Sequence, residues 1–295
     1  MKIVVSGSSG LVGSPLVQAL EARGDTVARL VHGRQWDPDR NLIDRTSLEG
    51  SDAVIHLAGE NIFGRWTEAK KQRIRDSRVR GTRLISNTLV ALTRPPTVLL
   101  AASAVGYYGD RGSQTLTESS SPGHDFLAGV AREWEEATGS AARAGIRVVN
   151  MRFGIVLTPA GGALGKMLTP FRLGLGGPIA GGTQYVSWIA RPDLVAAIQH
   201  VLDKRDVAGP VNLTAPNPVT NREFATTLGK VLGRPALVPV PAFALRMAFG
   251  ADGAAMLQAG QRALPERLLA SGFQFAFPTI EAALRHLLAR SDSVP

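Results

Sequence analysis

Five short apolar runs alternate with stretches of helical periodicity along the first 155 residues. The runs are rich in aliphatic and β-branched side chains and cover residues 3–5, 25–31, 53–57, 97–102 and 147–153. Continuous apolar runs of this length are typical of parallel strands buried on both faces. Helices are predicted after Gly13 and over 67–92 and 126–143, whereas the poorly patterned residues 35–50 allow only a short, irregular strand. The alternation predicts an α/β fold with a Rossmann-type, doubly wound parallel sheet.

A glycine-rich turn joins the first predicted strand to the first predicted helix. Gly7, Gly10 and Gly13 recur at three-residue spacing, in the pattern GxxGxxG. Glycines at such a turn let a pyrophosphate approach the backbone, and the helix N-terminus offers free N–H groups and the positive end of its dipole. An ordinary turn is the alternative, but the position between strand and helix favours a dinucleotide site. The predicted contacts are Gly7, Ser8, Ser9, Gly10, Leu11, Val12 and Gly13.

The end of the second predicted strand bears on the choice between NAD and NADP. An NAD site usually has a carboxylate there for the ribose 2′-hydroxyl, whereas this chain has Arg29, His32 and Arg34, with no acid before Asp37. A guanidinium can bind a 2′-phosphate through two hydrogen bonds, so NADP is the predicted cofactor, although Arg34 could be a plain surface residue. Small residues at the ends of two further strands allow the cofactor to lie across the sheet edge, and the predicted contacts there are Leu57, Ala58, Gly59, Glu60, Ala101 and Ala102.

The pattern changes after residue 155, where glycine and proline become frequent. Helices are predicted over 192–203 and 221–232, and the tail over 235–290 reads as mostly helical between prolines. We predict an NADP-binding core over residues 1–155, its sheet completed by parts of 185–215, and a smaller substrate-binding, mostly helical C-terminal lobe over 156–295. Glycine recurs through 159–182, which indicates a mobile lid over the cleft or an ordinary connection.

Composition narrows the class of protein without naming its chemistry. The chain has 295 residues, 44% of them hydrophobic, with no cysteine and a net charge of +9. The lack of cysteine, of a signal peptide and of a long apolar run favours a cytoplasmic protein with no membrane partner. The basic stretch over 70–83 reads as a solvated helix, and without interleaved aromatic residues no nucleic-acid partner is expected. Neither a metal-ligand cluster nor a GxSxG nucleophile motif is present, so no metal is expected.

Several motifs together resemble those of extended short-chain dehydrogenases/reductases. They are GSSGLVG at 7–13, DAVIHLAG at 52–59, VRGT at 79–82 and SAVGYYG at 103–109. The whole chain is more similar still to the atypical, epimerase-like subfamily of uncharacterised NAD-dependent epimerase/dehydratase relatives, on HLAGENI at 56–62, GGAL at 161–164, GLGGPI at 174–179, SWI at 187–189 and GF-x-F at 272–275. This resemblance implies NADP-type binding without a settled substrate.

The chain departs from that family at its catalytic helix. The family generally uses a serine after the fifth strand and a Tyr-x-x-x-Lys pair on the next helix, in which the lysine lowers the pKa of the tyrosine. If Glu135 is aligned with a common family glutamate, Leu127 and Ala131 occupy the two positions, and a one-residue shift gives Phe126 and Val130. The usual acid and its partner are therefore missing.

The resemblance leaves three hydroxyls as catalytic candidates. Ser103 matches the family serine, although a one-residue ambiguity could place Ala104 there, and one of Tyr107 and Tyr108 matches a pocket-lining tyrosine. Both tyrosines could equally pack against ligand without moving a proton. His124 and Lys166 are further candidates that read more readily as surface residues, and Arg78 stands where many relatives have an asparagine that orders a relay water.

Two functions remain open at this point. One is an NADP(H)-dependent oxidoreductase or epimerase that acts on a small polar, sugar-like substrate, with Ser103 and a tyrosine at 107 or 108 polarising the oxygen. The other is a non-catalytic NADP(H) sensor, which the loss of the Tyr-x-x-x-Lys pair favours. A monomer or a homodimer is expected in either case.

Overall fold

A six-stranded parallel sheet forms the centre of the structure, a computed structural model that describes residues 1–289. Its order, β12-β8-β6-β5-β1-β2, places the first strand inside the sheet. The elements of the first half are β1 Lys2–Ser6, α1 Gly13–Ala22, β2 Thr26–Leu30, β3 Trp36–Asp37, β4 Leu42–Ile43, β5 Ala53–His56, α2 Glu68–Val90, β6 Val98–Ala104, β7 Thr115–Leu116, α3 Phe126–Glu136, α4 Gly139–Arg143 and β8 Arg147–Phe153. The predicted Rossmann-type, doubly wound α/β fold is confirmed.

The second half returns one strand to this sheet and then builds a smaller, helical lobe. Its elements are β9 Ile155–Leu157, α5 Gly162–Arg172, β10 Tyr185–Val186, β11 Trp188–Ala190, α6 Arg191–Asp203, β12 Gly209–Leu213, β13 Val219–Thr220, α7 Asn221–Leu232, α8 Ala242–Gln258, β14 Arg262–Ala263, α9 Glu266–Ala270 and α10 Ile280–Ala289. β12 pairs with β8 at the sheet edge, and β11 pairs with β9 beside it. Residues 290–295 of the predicted lobe lie outside the described residues.

Both faces of the sheet are covered, which explains why its strands are continuously apolar. Side chains alternate across a strand, so Val4 packs with α2 on one face, whereas Ile3 and Val5 pack with α1 and α6 on the other. Hydrophobic residues of α5, α7 and α10 form a separate core in the lobe. The lobe thus has its own packing and meets the sheet along one side.

Two predicted segments differ from the structure in their helices. The predicted helix over 126–143 is two helices, since Thr138 donates its backbone N–H to Glu135 and its hydroxyl to the same carbonyl, which tightens the chain out of the α-helical pattern. About half of the glycine-rich segment over 159–182 is α5 rather than a mobile loop. Leu164, Leu168 and Phe171 recur at helical spacing and are buried in the lobe core, and this packing outweighs the low helix propensity of glycine.

Side chains of the lobe fix its position by capping and by long-range hydrogen bonds. Thr220 and Glu223 form a capping box at the start of α7. Asp193, buried in the first turn of α6, accepts hydrogen bonds from the backbone N–H groups of Ala276 and Phe277 at 2.9 and 3.0 Å. Residues 276–277 are thereby held on the side of the sheet that α6 covers.

Candidate functional site

The turn between β1 and α1 is closed so tightly that its glycines cannot be replaced without movement. Gly7 has a φ of +69°, and a Cβ built there would lie 2.8 Å from the backbone of Leu57 and Ala58. A Cβ on Gly13 would clash with the carbonyl oxygen of Gly7. The same oxygen accepts a 3.0 Å hydrogen bond from the N–H of Gly10. The glycine spacing therefore serves a cradle of bare backbone.

The floor of this cradle consists of the N-terminus of α1. The helix begins at Gly13, and within residues 1–289 the N–H groups of Leu11 and Val12 form no hydrogen bond. Ser8 is buried and Ser9 is exposed, so the two hydroxyls lie at different depths of the turn. Unpaired N–H groups at the positive end of a helix dipole provide an anion site, and the residues fit a pyrophosphate.

The segment after β5 forms the second wall of the cradle. The N–H of Leu57 donates to Ser6 at 3.2 Å, so this strand end stays beside β1, with Ala58 and Gly59 following. Glu60 turns away toward α2, where its carboxylate accepts a hydrogen bond from Lys70 at 2.7 Å. This bond and the charge of Lys70 lower the pKa of Glu60. Of the residues predicted on the neighbouring strand, Ala101 and Ala102 are both buried on β6.

The three basic residues predicted near the ribose lie at or just after the end of β2, which pairs directly with β1. Arg29 is exposed and lies 3.5 Å from Glu21 on α1. His32 is exposed, 4.0 Å from Asp37, and its ring meets Trp36 edge-on. Arg34 stands in the exposed turn after β2 and forms no ion pair with the described part of the chain. Of the three, Arg34 is the most available for a phosphate.

His32, Asp37 and Asp39 also bring three potential metal-ligand atoms within 4.8 Å of one another. The Asp37 carboxylate is already 3.6 Å from Arg40, and it accepts hydrogen bonds from the backbone N–H groups of Asp39 and Arg40. This arrangement is fully explained by the local turn.

Ser103, predicted as catalytic, is buried at the end of β6 with 2% of its surface exposed. Its hydroxyl donates a hydrogen bond to the Glu135 carboxylate at 2.7 Å. The same carboxylate accepts hydrogen bonds from Nε and Nη2 of Arg152 at 2.7 and 2.8 Å. Ser103 is therefore engaged by an ion pair rather than presented to solvent. Its neighbour Ala104, which is the alternative match to the position of the family serine, is half-buried.

The two tyrosines occupy different environments on the short 3₁₀ helix over Val105–Tyr108. Tyr108 is fully buried, its hydroxyl donating to Asn212 at 2.7 Å and accepting from Arg152 at 3.0 Å. Burial raises its pKa, although Arg152 opposes the shift. Tyr107 is half-exposed, its ring lies 3.5 Å from the Arg152 guanidinium, and its hydroxyl has no hydrogen-bond partner among the described residues. Of the three predicted hydroxyls, only that of Tyr107 is unengaged.

The positions of the missing tyrosine and lysine are apolar in space as well as in sequence. Leu127 packs against the backbone of Gly106, where a Cβ would lie 3.6 Å from it, and Ala131 is buried one turn later on α3. The other proposed substitutes lie elsewhere. Lys166 on α5 sits 3.7 Å above the ring of Phe63, and His124 is exposed.

The guanidinium of Arg78 packs against the segment after β5 and is engaged by backbone carbonyls. Its guanidinium donates to the carbonyls of Glu60 and Ile74 at 3.1 and 3.2 Å and stacks over Trp134 at 5.1 Å. The surrounding protein lowers its pKa to about 10 by desolvation, so it stays charged at neutral pH.

Sequence reasoning missed the buried network around Arg152. The sequence pattern offers Glu135 only as a point of alignment and places Arg152 within a predicted apolar strand. Asn212 and Glu118 extend the network, since Glu118 accepts the N–H of Asn212 at 3.0 Å. An arginine inside the run RVVNMRF was the available signal, because a buried guanidinium requires a partner.

The glycine cradle, the parallel sheet and the altered catalytic helix together define a Rossmann-type protein of the extended short-chain dehydrogenase/reductase class. The model of the NAD dependent epimerase/dehydratase family matches residues 3–213, and a domain of unknown function, DUF1731, matches residues 240–287. The chain belongs to the NAD dependent epimerase/dehydratase family, which confirms the resemblance found in the sequence.

Relatives from distant organisms match nearly the whole chain. Epimerase family protein Mb2239 of Mycobacterium bovis is 42% identical and epimerase family protein SDR39U1 of Homo sapiens is 38% identical, over 98% of this chain and 98% and 100% of theirs. The crystal structure of the human protein with NADPH has a TM-score of 0.89 at 36% identity, covering 98% of this chain and 99% of that one. A nucleoside-diphosphate sugar epimerase from Corynebacterium glutamicum has a TM-score of 0.80 at 35% identity, covering 98% of this chain and 58% of that one.

Proposed function

We propose that this protein binds NADP(H) and uses it in an oxidoreductase or epimerase reaction on a small polar, sugar-like substrate. The observation that carries the first part is the backbone cradle between Gly7 and Gly13, together with the exposed Arg34 at the end of β2. The human relative that was crystallised with NADPH supports the same cofactor. When bound, NADP(H) supplies or accepts a hydride.

The chain's own residues would divide the work of binding. The N–H groups of Leu11 and Val12 face the pyrophosphate, and the bare backbone of Gly7 and Gly13 allows it to approach. Arg34 binds the 2′-phosphate and thereby distinguishes NADP(H) from NAD(H).

Tyr107 is the group best placed to hold or move a proton at the substrate oxygen. Its hydroxyl is unengaged, and Arg152 lies against the face of its ring at 3.5 Å. Ser103 contributes indirectly in this proposal, since its hydroxyl donates to Glu135 and so helps to fix Arg152. The sugar-like substrate is supported by the Corynebacterium glutamicum relative and its name.

Calorimetric titration with NADPH and NADH, on the wild type and on Arg34→Ala, tests the cofactor. We expect NADPH to bind at least ten-fold more tightly than NADH and the variant to remove most of that preference. If neither NADPH nor NADH binds, the proposal as a whole is refuted.

Turnover is tested by following NADPH absorbance with a panel of nucleotide sugars and small carbonyl compounds. Tyr107→Phe should abolish any turnover found while leaving NADPH affinity unchanged. Tyr185→Phe, on β10 with its ring against Arg262, is the control for the loss of a phenolic hydroxyl.

A non-catalytic NADP(H) sensor is the second candidate, and one observation favours it. Two of the three candidate hydroxyls, those of Ser103 and Tyr108, are engaged in buried hydrogen bonds. A sensor would bind NADPH with no turnover on any substrate, yet hydrogen exchange over 159–182 would slow on binding. Turnover that depends on Tyr107 would exclude the sensor.

A further inference from the structure

The lobe carries an apolar patch that no other part of residues 1–289 covers. We define the apolar patch as Leu173, Leu175, Leu237, Val238, Phe243 and Met247, whose exposed fractions range from 47% to 82%. Single exposed apolar residues are common, but large side chains grouped in this way mark an interaction surface.

Backbone hydrogen bonds bring the members of the patch together. The segments 173–180 and 235–240 run side by side, with Val238 N–H donating to Gly176 at 3.1 Å and Val240 N–H donating to Pro178 at 2.9 Å. α8 begins two residues after this pairing. Phe243 and Met247 are four residues apart on that helix and therefore lie on one face of it.

The two segments that carry the patch have charge of one sign. Segments 173–180 and 234–249 contain no aspartate or glutamate, whereas Arg234 and Arg246 lie within the second segment and are exposed. Arg172 immediately precedes the first segment. Arg65 is also exposed and donates to the carbonyl of Met247 at 2.9 Å, so it lies beside the patch.

A basic cavity of about 510 Å³ adjoins the patch. Arg172, Arg234 and Arg285 line it, together with the apolar residues Val231, Leu232, Leu288 and Ala289. Arg285 is paired with Glu281 at 2.7 Å, whereas Arg172 and Arg234 form no ion pair within residues 1–289. The cavity borders the patch, because Arg172, which lines the cavity, directly precedes Leu173 of the patch in the chain.

We propose that this surface docks on a bilayer that contains anionic phospholipid. The cavity would receive the phosphate of one headgroup on Arg172 and Arg234, and the apolar patch would enter the interface beside it. A second copy of this chain fits less well, since a self-complementary contact would bring arginine against arginine with no acidic residue from either segment.

The proposal is for attachment to one leaflet. None of the helices within residues 1–289 is both long and apolar enough to cross a bilayer. It departs from the sequence expectation of no membrane partner, which considered only spanning segments. It is independent of the proposed NADP(H) chemistry.

Co-sedimentation with vesicles tests the proposal on the full chain. We expect the wild type to pellet with phosphatidylcholine vesicles containing phosphatidylglycerol and to remain in the supernatant with phosphatidylcholine alone. Arg172→Gln with Arg234→Gln should weaken the partition coefficient by about five-fold per arginine, and high salt should release the protein. Phe243→Ser with Met247→Ser should also abolish pelleting.

Exposed residues within the first 155 residues of the chain supply matched controls. Leu42→Ser removes a leucine that is 58% exposed on β4, and Arg80→Gln with Arg83→Gln removes two exposed arginines on α2. Neither control should change the partition.

Three results would overturn the proposal. They are no pelleting with anionic vesicles, equal losses in the controls and the patch variants, and a dimer in sedimentation velocity that Phe243→Ser with Met247→Ser dissociates. Inorganic phosphate that binds at the cavity without any vesicle binding would likewise assign it to a free anion.

Discussion

The region proposed to bind the cofactor and the region proposed for catalysis are built from different kinds of groups. The cradle between β1 and α1 consists of backbone, with N–H groups left unpaired and cations left exposed. The region at the end of β6 consists of side chains, Ser103, Glu135, Arg152 and Tyr108, whose polar atoms are paired inside the protein. The first region is ready for a ligand, whereas the second stabilises the fold.

This difference indicates which half of an enzyme site can change while the fold persists. A pyrophosphate cradle depends on glycine conformation and a helix end, so it survives any change that spares them. A catalytic pair on a helix depends on two side chains, and here Leu127 and Ala131 stand in their places and pack well.

Replacing Arg152 should have the largest effect on stability, and it tests the contrast between the two regions directly. Arg152→Met leaves Glu135 buried opposite an apolar side chain, so we expect the free energy of unfolding to fall by about 3–5 kcal/mol. Urea denaturation measures this loss. NADPH affinity, measured below the unfolding transition, should stay within a few-fold of the wild type. A large loss of affinity with little loss of stability would mean that the two regions are one site.

The pH dependence of stability sharpens the comparison from the cofactor side. His56 is fully buried under the cradle, 2.6 Å from the hydroxyl of Ser6, and burial lowers its pKa from 6.5 to about 4. Below pH 6.5 the unfolded chain binds a proton at His56, whereas the folded protein does not bind it until the pH approaches 4. The contribution of His56 to stability is therefore fully present above pH 6.5 and is lost as the pH falls toward 4. We expect this titration to remove about 3 kcal/mol from the free energy of unfolding at the acid end.

His56→Asn tests this origin by urea denaturation at several pH values. The variant keeps a hydrogen-bonding group for Ser6 but cannot titrate, so its stability should fall less steeply between pH 6.5 and 4. Parallel pH curves for both proteins would assign the acid sensitivity to other groups.

Closing the cradle with a methyl group should abolish its function. Gly13→Ala places a Cβ against the carbonyl of Gly7, so we expect NADPH affinity to fall at least about 100-fold, or about 2.7 kcal/mol. Calorimetry measures the affinity. Gly129→Ala on α3 is the control, because a Cβ there meets nothing within 4 Å. An unimpaired Gly13→Ala would show that ligand binds elsewhere.

The smallest expected effect belongs to the exposed cation. Arg34→Ala should weaken NADPH binding about ten-fold, or about 1.4 kcal/mol, while leaving NADH unchanged. Arg29→Ala should change little if Glu21 already holds that side chain. Equal losses for NADPH and NADH would place Arg34 at a shared part of the nucleotide.

Local patterns were enough to predict the sheet and the cradle. Apolar runs such as 97–102 identify strands buried on both faces, and the glycines at 7, 10 and 13 have roles that depend only on nearby backbone. The helix α5 could not be predicted in this way, because its stability comes from burying Leu164, Leu168 and Phe171 in the lobe core.

The catalytic side was harder to predict because its partners are distant in sequence. Tyr108 and Asn212 are 104 residues apart, and no spacing rule connects them. The sequence predicts Ser103 together with one of Tyr107 and Tyr108, whereas the structure gives each of the three a different environment. Their roles in catalysis stay predictions until turnover is measured.

The strand order of the sheet also bears on how the chain is made. β1 and β2 pair first at one edge, and β5, β6, β8 and β12 then lie side by side in the order of their synthesis. β5 joins the free edge of β1, and β6, β8 and β12 then each join the sheet strand made before them, with no earlier pairing to be undone. Until β12 emerges, β8 remains an open template, and a chain arrested there would expose it to other nascent chains.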